Sequence, residues 1–359
     1  MNDSRHSSIV SVAGAHPPHH YSQEELLDAL RLFWGKQHHN PARLDSLHRS
    51  VCVGGRHLAL PIEDYAALDG FGGANDAYVR VGTDVAARAL ALALEEAGVA
   101  ASDVDCIFFT SVTGIAVPSI DARLVNRLGL RNDVKRIPVF GLGCVAGAAG
   151  IARVHDYLLA WPDHVAVLVS LELCSLTLQR DDLSIPNLIA SGLFGDGGAA
   201  VVMAGSARSK RLGARGPRVL ASRSRFYPDT ERVMGWDVTS GGFRIVLSAS
   251  VPDVVRSYLA DDVHGFLDEH GVARQDIRSW ICHPGGPKVL DAFEESLGLG
   301  AGELALTRRS LAEVGNMSSS SVLFVLRDAI EEARPQPDTL GLLLALGPGF
   351  CSELVLVQW

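Results

Sequence analysis

The chain has 359 residues, of which 47% are hydrophobic and 20% are charged, and its net charge is −9. This composition indicates a globular protein with a sizeable core and excludes a disordered or fibrous chain. The acidic balance and the absence of a long Lys/Arg run argue against nucleic acid as the main partner. No apolar run is long enough to span a membrane, so we expect a soluble protein with no membrane partner.

The six cysteines show neither CxxC pairing nor zinc-ligand spacing, so no metal site is predicted. The N-terminal stretch lacks the apolar core of a signal peptide. We therefore expect free thiols in a reducing cytoplasm. The cysteines are Cys52, Cys106, Cys144, Cys174, Cys282 and Cys351.

The first hundred residues contain two predicted helices. Residues 1–20 are polar, rich in His and Pro, and expected to be partly loose. Ser22, followed by two glutamates and an apolar repeat, predicts a capped helix over 22–35. A longer Ala- and Leu-rich helix is predicted over 77–98.

Strands and helices then alternate. Continuous apolar runs predict buried strands over 105–110, 165–170 and 198–203, with a helix over 119–129. Residues 135–140 lead into Cys144 and a further helix. Such runs separated by helices indicate a sheet that is covered on both faces.

The second half repeats this order. Helices are predicted over 251–270, 287–297 and 318–333, and strands over 280–282, 340–346 and 354–357. The spacing agrees as well, since Asp105 to Cys144 is 39 residues and Asp276 to Asn316 is 40. We infer a duplicated α/β unit, divided into 1–210 and 211–359, with Cys144 and Asn316 at equivalent points.

Cys144 lies in the glycine-rich stretch GLGCVAGAAG, immediately before a predicted helix. The unpaired N–H groups and the dipole at a helix N-terminus favour a thiolate. Flanking glycines allow a substrate to approach the sulfur closely. The alternative interpretation is a small buried cysteine in a tightly packed helix.

His283 and Asn316 complete a candidate acyl-transfer site. His283 leaves a strand into a Pro-Gly-Gly loop, where functional side chains tend to lie. Asn316 sits at a predicted helix start, where asparagine is also a common N-cap. A thiolate, an imidazole and an amide donor together suffice for acyl transfer through a covalent thioester.

Five sequence blocks in register resemble the type III polyketide synthases, the chalcone synthase superfamily, from about residue 8 to the C-terminus. The blocks that carry this resemblance are GLGCVAGAAG, LFGDGGAAVV, WICHPGGPKVLD, EVGNMSSSSVLFVL and LGPGF.

The resemblance implies a thiolase fold, an α/β architecture in which two αβαβα halves form a five-layered sandwich. It implies a homodimer whose substrates are an acyl-CoA starter and malonyl-CoA, with no cofactor beyond these thioesters. Cys144 matches the nucleophile that holds the growing chain. His283 and Asn316 match the pair that binds the thioester carbonyl and stabilises the enolate left by decarboxylation.

Further residues match the family's cavity and entrance positions. Phe194 and Phe243 correspond to gatekeeper aromatics, Val117 to a residue that reaches into the partner's cavity, and Arg49 and Arg56 to the CoA-phosphate region. The cavity wall is matched by Cys174, Thr177, Gly347, Pro348 and Gly349.

Three other assignments stay open on the sequence alone. A β-ketoacyl-ACP synthase III has the same fold and the same three residue types. The sequence around the histidine of that family resembles His-Gln-Ala-Asn, whereas this chain has His283-Pro-Gly-Gly. A thiol hydrolase uses the same three residue types and would release free acid without carbon dioxide. A non-catalytic CoA-binding protein would carry an unreactive Cys144.

The stretch ELCSLTLQRDD resembles the bacterial branch, which includes tetrahydroxynaphthalene synthases and alkylresorcinol or alkylpyrone synthases. Tetrahydroxynaphthalene synthases carry a second cavity cysteine where this chain has Val112. Small or apolar residues at Val112, Val117 and Thr177 leave room for an aliphatic tail. We therefore favour a fatty acyl-CoA starter and an alkylpyrone or resorcinol product; the alternative is the use of malonyl-CoA alone.

Overall fold

A computed structural model describes residues 6–34 and 41–359, and these residues form thirteen strands and eleven α-helices. The strands are β1 (Ser7–Ala15), β2 (His19–Ser22), β3 (Gly55–Leu58), β4 (Cys106–Thr110), β5 (Lys135–Val139), β6 (Val165–Leu173), β7 (Asp196–Gly205), β8 (Arg218–Phe226), β9 (Met234–Thr239), β10 (Gly242–Leu247), β11 (Ile277–Cys282), β12 (Leu340–Gly347) and β13 (Cys351–Gln358). The helices are α1 (Gln23–Trp34), α2 (Pro41–Ser50), α3 (Gly70–Ala97), α4 (Ile120–Leu128), α5 (Ala146–Ala160), α6 (Ile185–Leu193), α7 (Ser206–Leu212), α8 (Val251–Glu269), α9 (Pro287–Leu297), α10 (Ala305–Val314) and α11 (Ser321–Asp328).

Nine strands form one mixed sheet in the order β11-β12-β13-β8-β1-β7-β6-β4-β5. In the first half, β4 and β6 are parallel, while β6–β7 and β7–β1 are antiparallel. In the second half, β11 and β12 are parallel, while β12–β13 and β13–β8 are antiparallel. The two halves therefore repeat one topology and join where β1 pairs with β8.

The helices complete five layers. Helices α5 and α11 lie between the two halves, since α5 packs against β4, β6 and β7 and also against β8, β12 and β13. Helices α3 and α4 cover the outer face of the first half, and α8 and α9 belong to the outer core of the second. This arrangement confirms the fold class expected from the sequence. None of the helices in the described ranges is long and apolar enough to cross a membrane.

The expectation of a loose N-terminal segment is wrong for residues 7–15, which form the central strand β1; residues 1–5 lie outside the described residues. Serines interrupt the hydrophobic pattern of this strand. Their hydroxyls are satisfied internally, since Ser7 Oγ lies 2.9 Å from Nδ1 of His155 and Ser11 Oγ donates to the Ala93 carbonyl at 2.6 Å. Strand β8, which is also central, is absent from the predicted elements for a similar reason, because arginines and serines interrupt its apolar residues.

The predicted helices are present with shifted ends. Helix α1 has the expected capping box, in which Ser22 N–H donates to Glu25 Oε2 at 2.7 Å and Glu25 N–H donates to Ser22 Oγ at 3.3 Å. Helix α3 begins at Gly70, seven residues before the predicted start. The helix predicted over 318–333 is a 3₁₀ turn (Ser318–Ser320), then α11, then a π-helical turn (Ala329–Ala333).

Gly147 sets the distance between the two middle-layer helices. A Cβ at this position would lie 2.2 Å from the backbone carbonyl oxygen of Ser319. The first turn of α5 therefore packs directly on the 3₁₀ turn that precedes α11. This close approach brings the segments that carry Cys144 and Asn316 together.

Candidate active site

The site is built where three chain segments meet at one end of the sheet. Cys144 lies in a 3₁₀ turn (Gly143–Val145) that leads into α5, and Asn316 lies just before the turn that leads into α11. His283 follows directly after β11. The end of β12 packs on the cysteine turn, since a Cβ on Gly347 would lie 2.7 Å from the Val145 nitrogen.

Cys144 is 7% exposed, and its thiol lies 3.6 Å from Ser318 Oγ on the opposite turn. Burial raises the pKa of the Cys144 thiol to about 12, although the Ser318 contact acts in the other direction. Desolvation therefore opposes the thiolate that the helix terminus is predicted to favour. The sulfur needs a base to accept its proton at the moment of reaction.

His283 lies on the loop that contacts Asn316. The side chain is 3% exposed, and within the described part of the chain neither ring nitrogen has a hydrogen-bond partner. Burial lowers the pKa of His283 to about 3, so the imidazole is neutral at physiological pH. A neutral imidazole offers one lone pair and one N–H donor, and both are free here to engage a substrate or a neighbouring group.

The orientation of Asn316 is fixed on both sides. Its Oδ1 accepts the Ser318 N–H at 2.8 Å, while Nδ2 points to the Gly285 carbonyl, 3.5 Å away on the loop that carries His283. Its backbone pairs with the segment around Phe194, accepting from Gly195 N–H at 3.0 Å and donating to the Leu193 carbonyl at 2.9 Å. The amide therefore links the histidine loop, the cysteine-facing turn and Phe194.

Glu172 is a site residue that the sequence reasoning missed. It lies fully buried in β6, where its carboxylate accepts from Val112 N–H at 3.1 Å, Thr113 Oγ1 at 2.9 Å and Ser319 Oγ at 2.5 Å. Burial raises the pKa of Glu172 to about 7, against the opposing effect of these donors. The available signal was a carboxylate in the otherwise apolar run VAVLVSLEL.

An apolar chamber of about 370 Å³ lies next to a second thiol, that of Cys174, and its lining does not include Cys144, His283 or Asn316. Of the predicted residues, Cys174, Thr177, Phe194 and Arg56 line it, together with aliphatic side chains from α1 and with Trp236. Burial and the neighbouring Glu172 carboxylate raise the pKa of Cys174 well above its ordinary value, so this second thiol stays protonated. The chamber is suited to a mainly apolar organic ligand.

Phe243 lines a second, more polar chamber of about 470 Å³, which also contains Thr113 and Gln179. Its ring packs against Phe71 and Phe140, with centroid distances of 5.3 and 6.1 Å. Phe194 and Phe243 thus belong to different chambers. The wall between these chambers includes Tyr65 and Ser175, which line both.

The Gly347-Pro348-Gly349 loop lies over the cysteine turn. Gly143 has φ +57°, and a Cβ there would lie 2.6 Å from the Pro348 ring, so only glycine allows this contact. Val112 is buried and contributes its backbone N–H to Glu172, and its side chain is not part of the lining of either chamber.

Three further predicted positions, Arg49, Arg56 and Val117, differ in their exposure. Arg49 is exposed on α2, beside Asp45, which fits a surface contact with an anion. Arg56 is 3% exposed and donates through Nη1 to the Phe194 carbonyl at 2.7 Å, which does not fit a contact with CoA phosphates. Arg56 instead fixes the backbone of Phe194. Val117 is 94% exposed and lines neither chamber of its own chain.

Comparison with known families agrees with this architecture. Residues 73–207 match the N-terminal domain of the chalcone and stilbene synthases, and residues 218–359 match the C-terminal domain. The chain belongs to this family, the type III polyketide synthases. It is therefore an acyltransferase that acts on malonyl-CoA and acyl-CoA thioesters and needs no further cofactor, which sets aside the synthase III, hydrolase and non-catalytic alternatives.

Similar proteins cover nearly the whole chain. A 1,3,6,8-tetrahydroxynaphthalene synthase of Streptomyces peucetius subsp. caesius is 54% identical over 355 residues, which cover 99% of this chain and 94% of that protein. A phloroglucinol synthase of Pseudomonas fluorescens is 32% identical over 348 residues, with 96% of each covered. The crystal structure of 1,3,6,8-tetrahydroxynaphthalene synthase from Streptomyces coelicolor A3(2) matches with a TM-score of 0.92 at 34% identity, covering 98% of this chain and 99% of that one.

Replacing Glu172 with glutamine makes the stability less dependent on pH. Because folding raises the Glu172 pKa from 4.5 to about 7, its stabilising contribution is complete below pH 4.5 and is lost as pH rises to 7. Relative to Glu172→Gln, the wild type should lose about 3 kcal/mol of unfolding free energy between pH 4.5 and 8. Urea denaturation at a series of pH values measures this difference.

Glu63→Gln is the matched control, because Glu63 is exposed and makes no contact with the site. Its unfolding free energy should follow that of the wild type across the same pH range. Parallel curves for the wild type and Glu172→Gln would show that folding leaves the pKa of Glu172 near its ordinary value of 4.5, which would contradict the prediction.

Proposed function

We propose that this enzyme uses malonyl-CoA as both starter and extender and closes the resulting poly-β-ketone into an aromatic ring. The observation that carries this proposal is the 54% identity, over 99% of the chain, to a 1,3,6,8-tetrahydroxynaphthalene synthase. The S. coelicolor protein of the same name supports it through its matching structure. The fatty acyl-CoA starter favoured from the sequence is the less well supported interpretation.

The first step loads the starter onto Cys144. The Cys144 sulfur attacks the thioester carbonyl of malonyl-CoA, its proton passes to the neutral His283 imidazole, and CoA leaves as its thiol after taking up that proton. Burial disfavours a lone thiolate or imidazolium, so the two charges form together as a pair. The product is an acyl thioester on Cys144.

The second step generates the carbon nucleophile. A further malonyl-CoA places its thioester oxygen against the His283 N–H and the Asn316 amide, which are held by adjoining loops. The bond from the α-carbon to the carboxylate breaks, carbon dioxide leaves, and the electron pair becomes an enolate. Two preorganised donors in a site with little water stabilise that charge more strongly than they would in bulk water.

The third step forms the new carbon–carbon bond. The enolate carbon attacks the thioester on Cys144 and expels the sulfur, which leaves the lengthened chain on CoA. Transfer of the chain back to Cys144 releases CoA and allows another round. The chamber of about 370 Å³ beside Cys174 and Phe194 gives the chain a place to grow.

The valine at position 112 argues less strongly against this product than the sequence indicated. Its backbone N–H holds Glu172, and its side chain is outside the lining of both chambers. The aliphatic residues that α1 contributes to the first chamber are chemically suited to a fatty chain as well. A direct comparison of malonyl-CoA with a fatty acyl-CoA as the starter therefore decides between the two proposals for the starter.

We further propose that two copies of the chain pair around β5. Among the strands that the structure describes, β5 is the last of the sheet, so one of its edges has no neighbouring strand, and its residues are largely exposed. Exposed apolar residues lie at the same end of the molecule: Ile115, Val117, Ile137 and Phe140. An exposed apolar group of this kind at an open strand edge is a typical association surface, and it would let Val117 reach into the partner.

We place the enzyme in the cytoplasm. All six cysteines are free in the structure, which supports a reducing compartment.

Wild-type enzyme incubated with malonyl-CoA alone should release carbon dioxide and yield an aromatic polyketide. With ¹³C-labelled malonyl-CoA, every carbon of the product should carry the label, because no other starter is present. Mass spectrometry after liquid chromatography measures the product, and Cys144→Ala is the negative control, since it lacks the sulfur that holds the chain.

The competing starter is tested in the same assay with unlabelled decanoyl-CoA added at equal concentration. The proposal predicts that most of the product stays fully labelled. Product that forms only when decanoyl-CoA is present, with an unlabelled alkyl tail, would contradict the use of malonyl-CoA as starter.

Val117→Asp should weaken the dimer. Burying a charge in place of an apolar side chain on both sides of a two-fold interface should raise the dissociation constant at least about 100-fold. Analytical ultracentrifugation should find wild type at twice the 38.3 kDa chain mass and the variant largely at that mass. Val238→Asp, at a position on the β9–β10 hairpin that is 69% exposed, should remain dimeric. A monomeric wild type would overturn this proposal.

A further inference from the structure

A chain of hydrogen bonds that the mechanism above does not use ends at the chamber wall. The Tyr65 hydroxyl lies 2.5 Å from Ser175 Oγ, and Ser175 Oγ donates to Oδ2 of Asp196. Asp196 is fully buried and also accepts the Ser175 N–H at 2.8 Å and the Ala59 N–H at 2.6 Å. The three side chains form one continuous path from a buried carboxylate to a phenol.

The outer end of this path faces the space that the substrate chain would occupy. Tyr65 and Ser175 line both chambers, and Ser175 directly follows Cys174. Phe194, which lines the first chamber, is two residues from Asp196. A poly-β-ketone that enters this mainly apolar chamber would therefore meet Tyr65 and Ser175 in its wall.

The hydrogen positions follow from the acceptors. The single Ser175 hydroxyl hydrogen is directed to the Asp196 carboxylate, so the hydrogen between Tyr65 and Ser175 belongs to the phenol. The Leu60 N–H also points to the Tyr65 oxygen, at 3.3 Å. The path is thus arranged to pass a proton inward, from Tyr65 through Ser175 to Asp196.

We propose that Tyr65 is a catalytic residue for ring closure, acting as a proton shuttle backed by Ser175 and Asp196. This inference rests on the proposed polyketide synthase reaction and assigns a residue to its last stage. The substrate group that it serves is the acidic methylene between two ketones of the completed chain.

The proton balance of the closure is zero. The methylene gives its proton to the Tyr65 oxygen, while the Tyr65 proton moves to Ser175 and the Ser175 proton moves to Asp196. The electron pair left on the methylene carbon forms the new carbon–carbon bond to the carbon of a ketone in the same chain. The π electrons of that ketone move onto its oxygen and make it an alkoxide. The proton then returns along the same path to that alkoxide, and loss of water makes the ring aromatic.

The electrostatics of Asp196 and Tyr65, the two ends of the hydrogen-bonded path, suit the transfer of a proton between them. Burial raises the pKa of Asp196 to about 6, so the carboxyl can hold a proton near neutral pH, and the nearby Arg56 acts in the other direction. Burial raises the pKa of Tyr65 well above its ordinary value, so the phenol does not ionise by itself. The carboxylate at the far end is what allows the phenol to act as a base.

Tyr65→Phe removes the hydroxyl and keeps the ring. The measured quantity is the ratio of aromatic product to pyrone lactones, which close through oxygen and need no carbon base. This ratio should fall about tenfold or more, in line with the loss of a general base. Ser175→Ala, which breaks the path one step further in, should lower the ratio in the same direction and covers the case in which Tyr65→Phe does not fold.

Tyr157→Phe is the matched control, because Tyr157 bonds His164 at the opposite end of α5 and should leave the ratio at the wild-type value. Wild-type ratios in both Tyr65→Phe and Ser175→Ala would overturn the shuttle. A wild type that needs an acyl-CoA starter would overturn the proposed starter instead, and the same ratio is then measured with that starter. The two proposals therefore fail separately.

Discussion

The close packing of the turns that lead into α5 and α11 is the constraint on which the rest of the site depends. Gly147 leaves no room for a side chain against the Ser319 carbonyl, so the two middle-layer helices meet with their backbones nearly in contact. Each turn belongs to one copy of the duplicated unit. The duplication supplies two similar loops, and their contact brings the Cys144 thiol of one half close to the turn that Asn316 of the other half holds.

Burial is the second constraint on the site, and it favours the neutral form of Cys144, His283, Cys174, Glu172 and Asp196 alike. Desolvation keeps Cys144, His283 and Cys174 in their neutral forms and pushes Glu172 and Asp196 toward theirs. A site with so few standing charges stabilises charges chiefly when they are formed as pairs or spread over several donors. That property suits a reaction whose intermediates are an enolate and a transient thiolate.

The duplication is visible in the sequence because a repeated unit preserves spacing, and the spacing alone pairs Cys144 with Asn316. Strand β1 escapes prediction because its serines bond to partners far along the chain, such as His155. Glu172 is missed for a similar reason: its donors come from other segments, and a lone carboxylate in an apolar run has no partner visible in the sequence. The predicted role of Arg56 is wrong because exposure is set by tertiary packing, which places it behind Phe194. Local patterns locate the reacting groups, whereas their protonation depends on burial that only the folded chain defines.

The central claim is that the nucleophile and the decarboxylation centre lie on different copies of the repeat and act as one site. The most direct measurement is the release of ¹⁴C-labelled carbon dioxide from carboxyl-labelled malonyl-CoA by two single variants. Cys144→Ala should still release carbon dioxide and form acetyl-CoA, without any condensation product. Asn316→Ala should lose carbon dioxide release by about 100-fold, the typical cost of removing one preorganised donor. Equal loss of carbon dioxide release in both variants would contradict the division of labour between the two repeats.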